Sequence, residues 1–146
     1  MRFLSFLLFL LVLLGCSSNR YTNPSEYPNE RINFGDGGGF SGMVTEYSLL
    51  DNGQLLKKLN HADSFEMITT IDENQTTQLF NNYKFLDIGS LDHNQPGNTY
   101  CFIQYHKNLD TEHKVIWDNH QTLEQNPNVK IFYKNLKSLI PTTSSK

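Results

Sequence analysis

The sequence of 146 residues predicts an α+β domain, in which an antiparallel sheet built from hairpins carries two helices packed on one face. Three observations predict this class. Short runs that are apolar, or that alternate between apolar and polar residues, are typical of strands when glycine-containing turns separate them. Two longer segments show helical spacing behind capping residues. The elements follow one another as strands, helix, strands, helix, without the strand–helix–strand alternation that is typical of a parallel sheet.

The first half of this domain contains most of the predicted strands. Residues 34–40 (Phe-Gly-Asp-Gly-Gly-Gly-Phe) indicate a glycine-rich turn between two short apolar segments. Asn52-Gly53 is typical of a two-residue type I′ turn, because both positions favour a positive φ. That turn predicts a hairpin in which Leu49 pairs with Leu56. The predicted strand segments before the first helix are residues 43–50, 54–59 and 65–71.

Each predicted helix begins at a recognisable cap. Asp72 can cap the first helix, and Gln75, three residues on, fits a capping box. Asn126 followed by Pro127 is a typical start for the second helix, which Pro141 ends. The apolar faces are Leu79, Phe80 and Tyr83 in the first helix, and Val129, Phe132, Tyr133, Leu136, Leu139 and Ile140 in the second.

A second hairpin is predicted between the helices. Its strands run from residue 100 to 106 and back through 115–117. A turn centred on Leu109-Asp110 pairs Phe102 with Trp117. The same register places His106 directly opposite His113, close enough to share an ion. The chain lacks His-X-X-X-His and Glu-X-X-His motifs, however, so we predict neither a metal site nor a cofactor.

The N-terminal segment is strongly apolar. After Met1 and Arg2, residues 3–14 contain Ser5 as their only polar side chain. This run is shorter than the roughly 20 helical residues that cross a bilayer core. It fits the apolar part of a signal peptide behind a minimal basic start.

Leu13-Leu14-Gly15-Cys16 follows this run and resembles the lipobox of bacterial lipoproteins. The resemblance implies cleavage between Gly15 and Cys16, a diacylglyceryl group on the Cys16 thiol, and an N-acyl chain such as palmitate. Two or more chains are needed for stable anchoring in a membrane. Acidic residues that direct many lipoproteins to the inner membrane or the cell surface are missing after Cys16. The resemblance therefore implies a periplasm-facing protein, in the outer membrane rather than the inner one.

The chain thus divides into four predicted parts: a signal peptide (1–15), lipidated Cys16 with a flexible tether (16–31), one globular domain (32–141) and a frayed tail (142–146). The tether is polar and without apolar periodicity, and a coil of about 15 residues averages roughly 20 Å end to end. The net charge of −3 and the lack of a basic cluster argue against nucleic-acid binding.

Once Cys16 is lipidated, Cys101 has no partner for an intramolecular disulfide. It lies in the apolar run Tyr-Cys-Phe-Ile of residues 100–103, which predicts a buried core thiol rather than a reactive one. Catalytic sequences such as Gly-X-Ser-X-Gly and Ser-X-X-Lys are missing. Asp87, Asp92 and Asp118 are candidates for acid–base chemistry, but any acidic domain offers such combinations.

The glycine-rich segment is the candidate site for a ligand or partner. Consecutive N–H groups without side chains can cradle an anion, although the lysine and helix of a phosphate-binding loop do not follow. A tight connection that needs glycine for steric reasons is the alternative. The residues of the candidate site are Phe34, Asp36, Gly37, Gly38, Gly39 and Phe40.

Several segments together resemble small uncharacterised lipoproteins of Bacteroidota: residues 34–42, Tyr47-Ser48-Leu49, Asn52-Gly53, Pro96-Gly97-Asn98 and Tyr100 with Phe102-Ile103. The resemblance covers most of the globular part and implies no activity. We therefore expect a lipid-anchored, non-enzymatic binding or interaction domain, with an envelope protein or small ligand as its partner. The alternative is a small envelope enzyme whose site combines Asp, His and Tyr side chains.

Overall fold

The computed structural model describes residues 20–59, 63–121, 123 and 126–142. It shows an α+β fold with one mixed, mostly antiparallel sheet of seven strands and two α-helices. The strands are β1 (Arg31–Gly38), β2 (Val44–Leu50), β3 (Gln54–Lys58), β4 (Phe65–Thr70), β5 (Asn94–Gln95), β6 (Thr99–Lys107) and β7 (Asp110–Asp118). The helices are α1 (Glu73–Phe85) and α2 (Asn128–Lys137).

The strands lie in the order β4-β3-β2-β1-β6-β7-β5. β1 is the central strand and pairs antiparallel with both β2 and β6. The pairs β2–β3, β3–β4 and β6–β7 are antiparallel as well, whereas the two-residue β5 runs parallel to β7. The glycine-rich β1 therefore lies at the centre of the sheet.

Alternate residues of each strand point to opposite faces of the sheet. The face to which Ile32 and Phe34 point is called here the first face, and the face to which Arg31 and Gly35 point is the second face. The main core cluster joins first-face residues to both helices: Ile32, Phe34, Leu49, Leu55, Ile103, Val115 and Trp117 with Leu79, Phe80, Tyr83, Val129, Phe132 and Leu136. Burial of this apolar surface is the main stabilising contribution.

Side-chain hydrogen bonds are present at the start of both helices, and the predicted cap at Asp72 is confirmed. The carboxylate of Asp72 accepts hydrogen bonds from the backbone N–H groups of Asn74 and Gln75, at 2.9 and 3.3 Å. Asn126 Oδ1 accepts from the N–H of Asn128 at 3.1 Å. These side chains satisfy donors that the first helical turn leaves without intrahelical partners.

The predicted register of β2 and β3 is wrong by one residue. Leu49 pairs with Leu55, not with Leu56, and Leu56 faces Ser48. The connection has three residues, with Gly53 at φ 88° and its N–H donating to the carbonyl of Leu50 over 2.9 Å. A three-residue loop of this kind uses a single residue in the left-handed region, and glycine adopts it readily.

The register of β6 and β7 differs from the prediction in the same way. The turn centres on Asn108 and Leu109, which have φ 50° and 73°, so Phe102 pairs with Ile116 and Cys101 pairs with Trp117. A leucine at positive φ is uncommon, and the sequence therefore favoured the wrong turn. The shift moves Trp117 into the core on the first face.

The N-terminal part of the domain differs most from expectation. We predicted a flexible tether through residue 31, yet residues 20–30 lie against the second face of the sheet. Tyr27 is 3 % exposed and forms a second, smaller core cluster with Leu50 and Leu56. The side chain of Gln54 holds the backbone of Tyr21 at both its N–H and its carbonyl, at 3.0 and 3.1 Å. The segment that packs on the sheet therefore includes described residues that were expected to form the tether.

The predicted cleavage and lipidation residues, Gly15 and Cys16, lie outside the described residues, as does the tail beyond residue 142. Within the described ranges, no helix is both long and apolar enough to cross a membrane.

Candidate functional site

The glycine-rich segment forms most of strand β1 rather than a turn, and only residues 39–43 connect β1 to β2. Gly35 and Gly37 lie on the second face beneath aromatic rings of β6. A Cβ added to Gly35 would come within 3.1 Å of the Phe102 ring, and one added to Gly37 within 2.8 Å of the Tyr100 ring. These two glycines therefore let β6 aromatic side chains lie across β1.

The remaining glycines shape the connection to β2. Gly38 and Gly39 have φ 94° and 73°, values that side chains rarely tolerate. The N–H of Gly38 donates to the carbonyl of Met43, that of Gly39 to Asn98, and that of Gly42 to Gly39. These N–H groups already have backbone partners, so the segment does not present them as an anion cradle. The structure thus supports the steric explanation of the glycine run.

The two phenylalanines of the candidate site lie in opposite environments. Phe34 is fully buried on the first face, where its ring stacks on that of Tyr47 with centroids 5.6 Å apart. Phe40 is fully exposed at the tip of the connection, near the exposed Met43 and Val44. Phe40 is therefore available to a partner, whereas Phe34 belongs to the core.

Asp36 faces helix α2 and forms a polar cluster there. Its Oδ2 accepts a hydrogen bond from Lys137 Nζ at 2.7 Å and from the Tyr133 hydroxyl at 3.3 Å. The Lys137 side chain also lies over the Tyr47 ring, 5.4 Å from its centroid. The Lys137 side chain therefore reaches from the helix back to the sheet.

A cleft of about 390 Å³ opens beside this cluster and is called here the Asp36 cleft. Gly37, Gly38 and Met43 line one side of it, and Thr99, Cys101 and Asn119 another. The Cys101 thiol donates to Asn119 Oδ1 over 3.5 Å, and the side chain is 5 % exposed. This placement agrees with the predicted core thiol.

The potential nucleophiles of the Asp36 cleft are held in their protonated forms. Burial is the largest effect and raises the pKa of the Cys101 thiol, whereas the nearby Tyr133 hydroxyl lowers it by less and the charge of Asp36 raises it again. Burial likewise raises the pKa of the Tyr133 hydroxyl, with further increases from Cys101 and Asp36. Since the thiolate is the reactive form of cysteine, the raised pKa makes Cys101 a poor nucleophile.

Sequence reasoning found Asp36 but missed Lys137, Tyr133 and Asn119. Asp36 and Lys137 are 101 residues apart, and no local pattern connects them. Only the spacing of lysines along α2 hinted at a role, and a solvated face explains that spacing equally well.

A second depression lies on the second face and is called here the Tyr100 groove. It has a volume of about 320 Å³ and is mainly apolar, with charged groups at its sides. Its lining consists of Val44, Glu46, Pro96, Tyr100, Phe102, Gln104, Lys114 and Ile116. The Lys114 ammonium lies 5.9 Å from the centroid of the Phe102 ring. The groove combines aromatic surface with one acidic and one basic side chain.

The histidines do not meet as predicted. A bulge follows Tyr105, so that Tyr105 faces His113 and His106 faces Thr111. Both ring nitrogens of His113 form hydrogen bonds within the fold, to the Tyr83 hydroxyl at 2.9 Å and to the Leu91 carbonyl at 2.8 Å. Among the described residues, no group of three His, Cys, Asp or Glu side chains is placed to hold a metal ion.

Two of the three candidate carboxylates, Asp87 and Asp118, hold local turns. Asp87 has φ 51° and accepts from the Ser90 hydroxyl at 2.8 Å, and Asp118 accepts from the His120 N–H at 2.8 Å. Neither lines the Asp36 cleft or the Tyr100 groove, and the same holds for Asp92. The structure therefore does not assemble them into one acid–base site.

The chain matches no protein-family model and no curated protein by sequence.

Proposed function

We propose that the protein is a lipid-anchored envelope lipoprotein whose domain binds a partner protein without catalysing a reaction. Diacylglyceryl and N-acyl chains on Cys16 attach it to the membrane, and the domain faces the periplasm, in the outer membrane rather than the inner one. The residues Leu-Leu-Gly-Cys after an apolar run of signal-peptide length support the anchor.

The arrangement of the helices supports a binding role for the sheet. The apolar side chains of α1 and α2 belong to the same cluster as the first-face residues of β1, β2, β6 and β7. We infer that both helices pack on that face of a sheet built from hairpins. The second face is then covered by residues 20–30 near β3 and is open to a partner at the Tyr100 groove.

The observation that carries this proposal is the apolar surface around the β1–β2 connection. Phe40 is fully exposed, Met43 and Val44 are 54 % and 41 % exposed, and Val44 also lines the Tyr100 groove. Exposed apolar residues that continue into an aromatic groove with a charged border have the composition of a protein interface. Tyrosine and other aromatic side chains frequently dominate the binding energy there.

The enzyme alternative finds less support. The Asp36 cleft does bring Asp, Tyr, Lys and Cys side chains together, as a small envelope enzyme requires. However, the Asp36 carboxylate is already paired with Lys137 and Tyr133, and the raised pKa values of Cys101 and Tyr133 make both groups poor nucleophiles. A general base or nucleophile needs a pKa close to the working pH.

Crosslinking in intact envelopes, followed by purification of the anchored protein, tests the binding role. We expect wild type to retain a crosslinked partner that Phe40→Ala loses. Phe85→Ala is the matched control, because Phe85 is also highly exposed but lies at the end of α1. Equal crosslinking of all three proteins would refute a role for the β1–β2 connection.

Labelling with a clickable fatty acid tests the anchor separately. We expect the label on wild type and none on Cys16→Ala. A Cys16→Ala protein that still carries the fatty acid would contradict lipidation at this residue, whatever the crosslinking shows.

A further inference from the structure

The proposed anchor lies only a few residues from the first residue that the structure describes. Only residues 17–19 lie between Cys16 and Arg20, where the described structure begins. A fully extended chain advances at most about 3.6 Å per residue, so the Cα atoms of Cys16 and Arg20 are at most roughly 14 Å apart. This length is no greater than the radius of gyration expected for a domain of this size, also roughly 14 Å. The anchor therefore restricts how the domain can turn above the membrane.

The position at which the chain enters the domain is well defined. The Gln54 side chain accepts from the N–H of Tyr21 and donates to its carbonyl, and the same amide lies 3.6 Å from the sulfur of Met67. The Tyr21 ring contacts that of Tyr27 edge-on, with centroids 4.8 Å apart. Residue 20 thus leaves the domain beside β4, at one edge of the sheet.

The surface around this point has the chemistry of a membrane-contacting patch. Five residues form it and are called here the β4 patch: Arg20, Tyr21, Lys58, Phe65 and Met67. Met67 is 38 % exposed, the Lys58 side chain is 40 % exposed, and Lys58 Nζ lies 6.0 Å from the centroid of the Phe65 ring. Aromatic and thioether groups beside basic side chains suit the boundary between headgroups and acyl chains.

We propose that the β4 patch rests on the headgroups of the bilayer that holds the anchor. The proposal depends on lipidation at Cys16, as proposed above. A contact of this kind needs little affinity of its own, since the short connection keeps the patch at a high effective concentration near the lipid. Anionic headgroups add attraction for the exposed Arg20, whereas the Lys58 ammonium also pairs with Glu46 at 3.7 Å. The opposite edge of the sheet, at β5, then points away from the membrane.

Energy transfer from single labels to the lipid surface tests this orientation. The acylated protein is reconstituted in vesicles of phosphatidylethanolamine and phosphatidylglycerol that carry a headgroup acceptor. One fluorophore is attached to Met67→Cys or to Gln95→Cys, which is exposed on β5. Cys101 is buried and leaves the introduced thiol as the reactive one. Six strand spacings separate β4 from β5, or about 29 Å, so we expect transfer about twofold greater or more from position 67.

Two further measurements separate the possible failures. Thr70→Cys and Asn94→Cys form a second pair of label sites, in case one variant folds poorly, and Thr70 is an exposed β4 residue outside the patch. Cys16→Ala should leave the vesicles, and its retention there would contradict the anchor itself. Protein that stays acylated and bound, with equal transfer from both edges or greater transfer from β5, would overturn the proposed orientation while leaving the anchor intact.

Discussion

The guanidinium of Arg31 donates a hydrogen bond to Nδ1 of His106 over 3.1 Å, and both side chains are buried. Since arginine can only donate, His106 acts as the acceptor and is neutral in this arrangement. Burial lowers the pKa of His106 to about 4, and the charge of Arg31 contributes to the decrease. The pair joins the central strand to β6 on the second face.

This pair predicts that the domain loses stability in mild acid. Unfolding restores the pKa of His106 to about 6.5, so the unfolded chain binds a proton between pH 6.5 and 4 while the folded chain does not. The stabilisation is complete above pH 6.5 and is lost as pH falls toward 4, by roughly 3 kcal/mol at most. Urea unfolding across this pH range should show a smaller loss for His106→Gln than for wild type. The exposed His120→Gln should behave like wild type, and an identical loss in all three proteins would refute the assignment.

A methyl group at Gly35 should destabilise the sheet. A Cβ at this position overlaps the carbonyl oxygen of Thr45 and crowds the Phe102 ring. We expect Gly35→Ala to lower the free energy of unfolding by about 2 kcal/mol or more, because backbone and a packed ring must both move. Gly89→Ala is the control, since its Cβ would meet Tyr83 at an ordinary 3.5 Å. Similar chemical-denaturation midpoints for the two variants would contradict the close packing of Thr45 and the Phe102 ring against Gly35.

The thiol of Cys101 should be unreactive in the folded protein. It is 5 % exposed, and burial raises its pKa, so both access and the thiolate fraction are low. Cys16→Ala protein incubated with an aromatic disulfide reagent at neutral pH should react only after denaturant is added. Rapid reaction without denaturant would indicate that the Asp36 cleft exposes the sulfur, which would revive the enzyme alternative.

The Gln54 amide should fasten the N-terminal segment to the sheet. Gln54→Ala removes two hydrogen bonds to the backbone of Tyr21, each contributing about 1 kcal/mol. We expect faster hydrogen exchange over residues 20–27, with the protection of β1 and β6 unchanged. Gln121→Ala, at an exposed position, should leave exchange in this segment as in wild type. Unaltered exchange in Gln54→Ala would show that Tyr27 alone holds the segment.

The sequence predicted the α+β class and the caps at Asp72 and Asn126, because these features depend on local spacing. It failed where two local solutions fit the same residues. Asn52-Gly53 suits a two-residue turn, yet Gly53 also suits the left-handed position of a three-residue loop. The structure has the three-residue loop, which places Leu49 and Leu55 together in the core.

Other features depended on contacts that no local pattern contains. Tyr27 lies in the stretch predicted to be a flexible tether, but it is buried with Leu50 and Leu56 on the second face. The ammonium group of Lys137 lies 2.7 Å from the Asp36 carboxylate, although the two residues are 101 positions apart. The polar composition of a segment therefore does not reveal which of its side chains contact distant residues.

The central position of β1 has a kinetic consequence. Its neighbour β6 lies far along the chain, and the paired residues Arg31 and His106 are 75 positions apart. Closing a loop of that length costs entropy before the contacts it permits are formed. β2, β3 and β4 can pair with nearby partners early, whereas β1 acquires its second neighbour only after β6 has been synthesised. We therefore expect the middle of the sheet to be completed last, with folding governed by the meeting of β1 and β6.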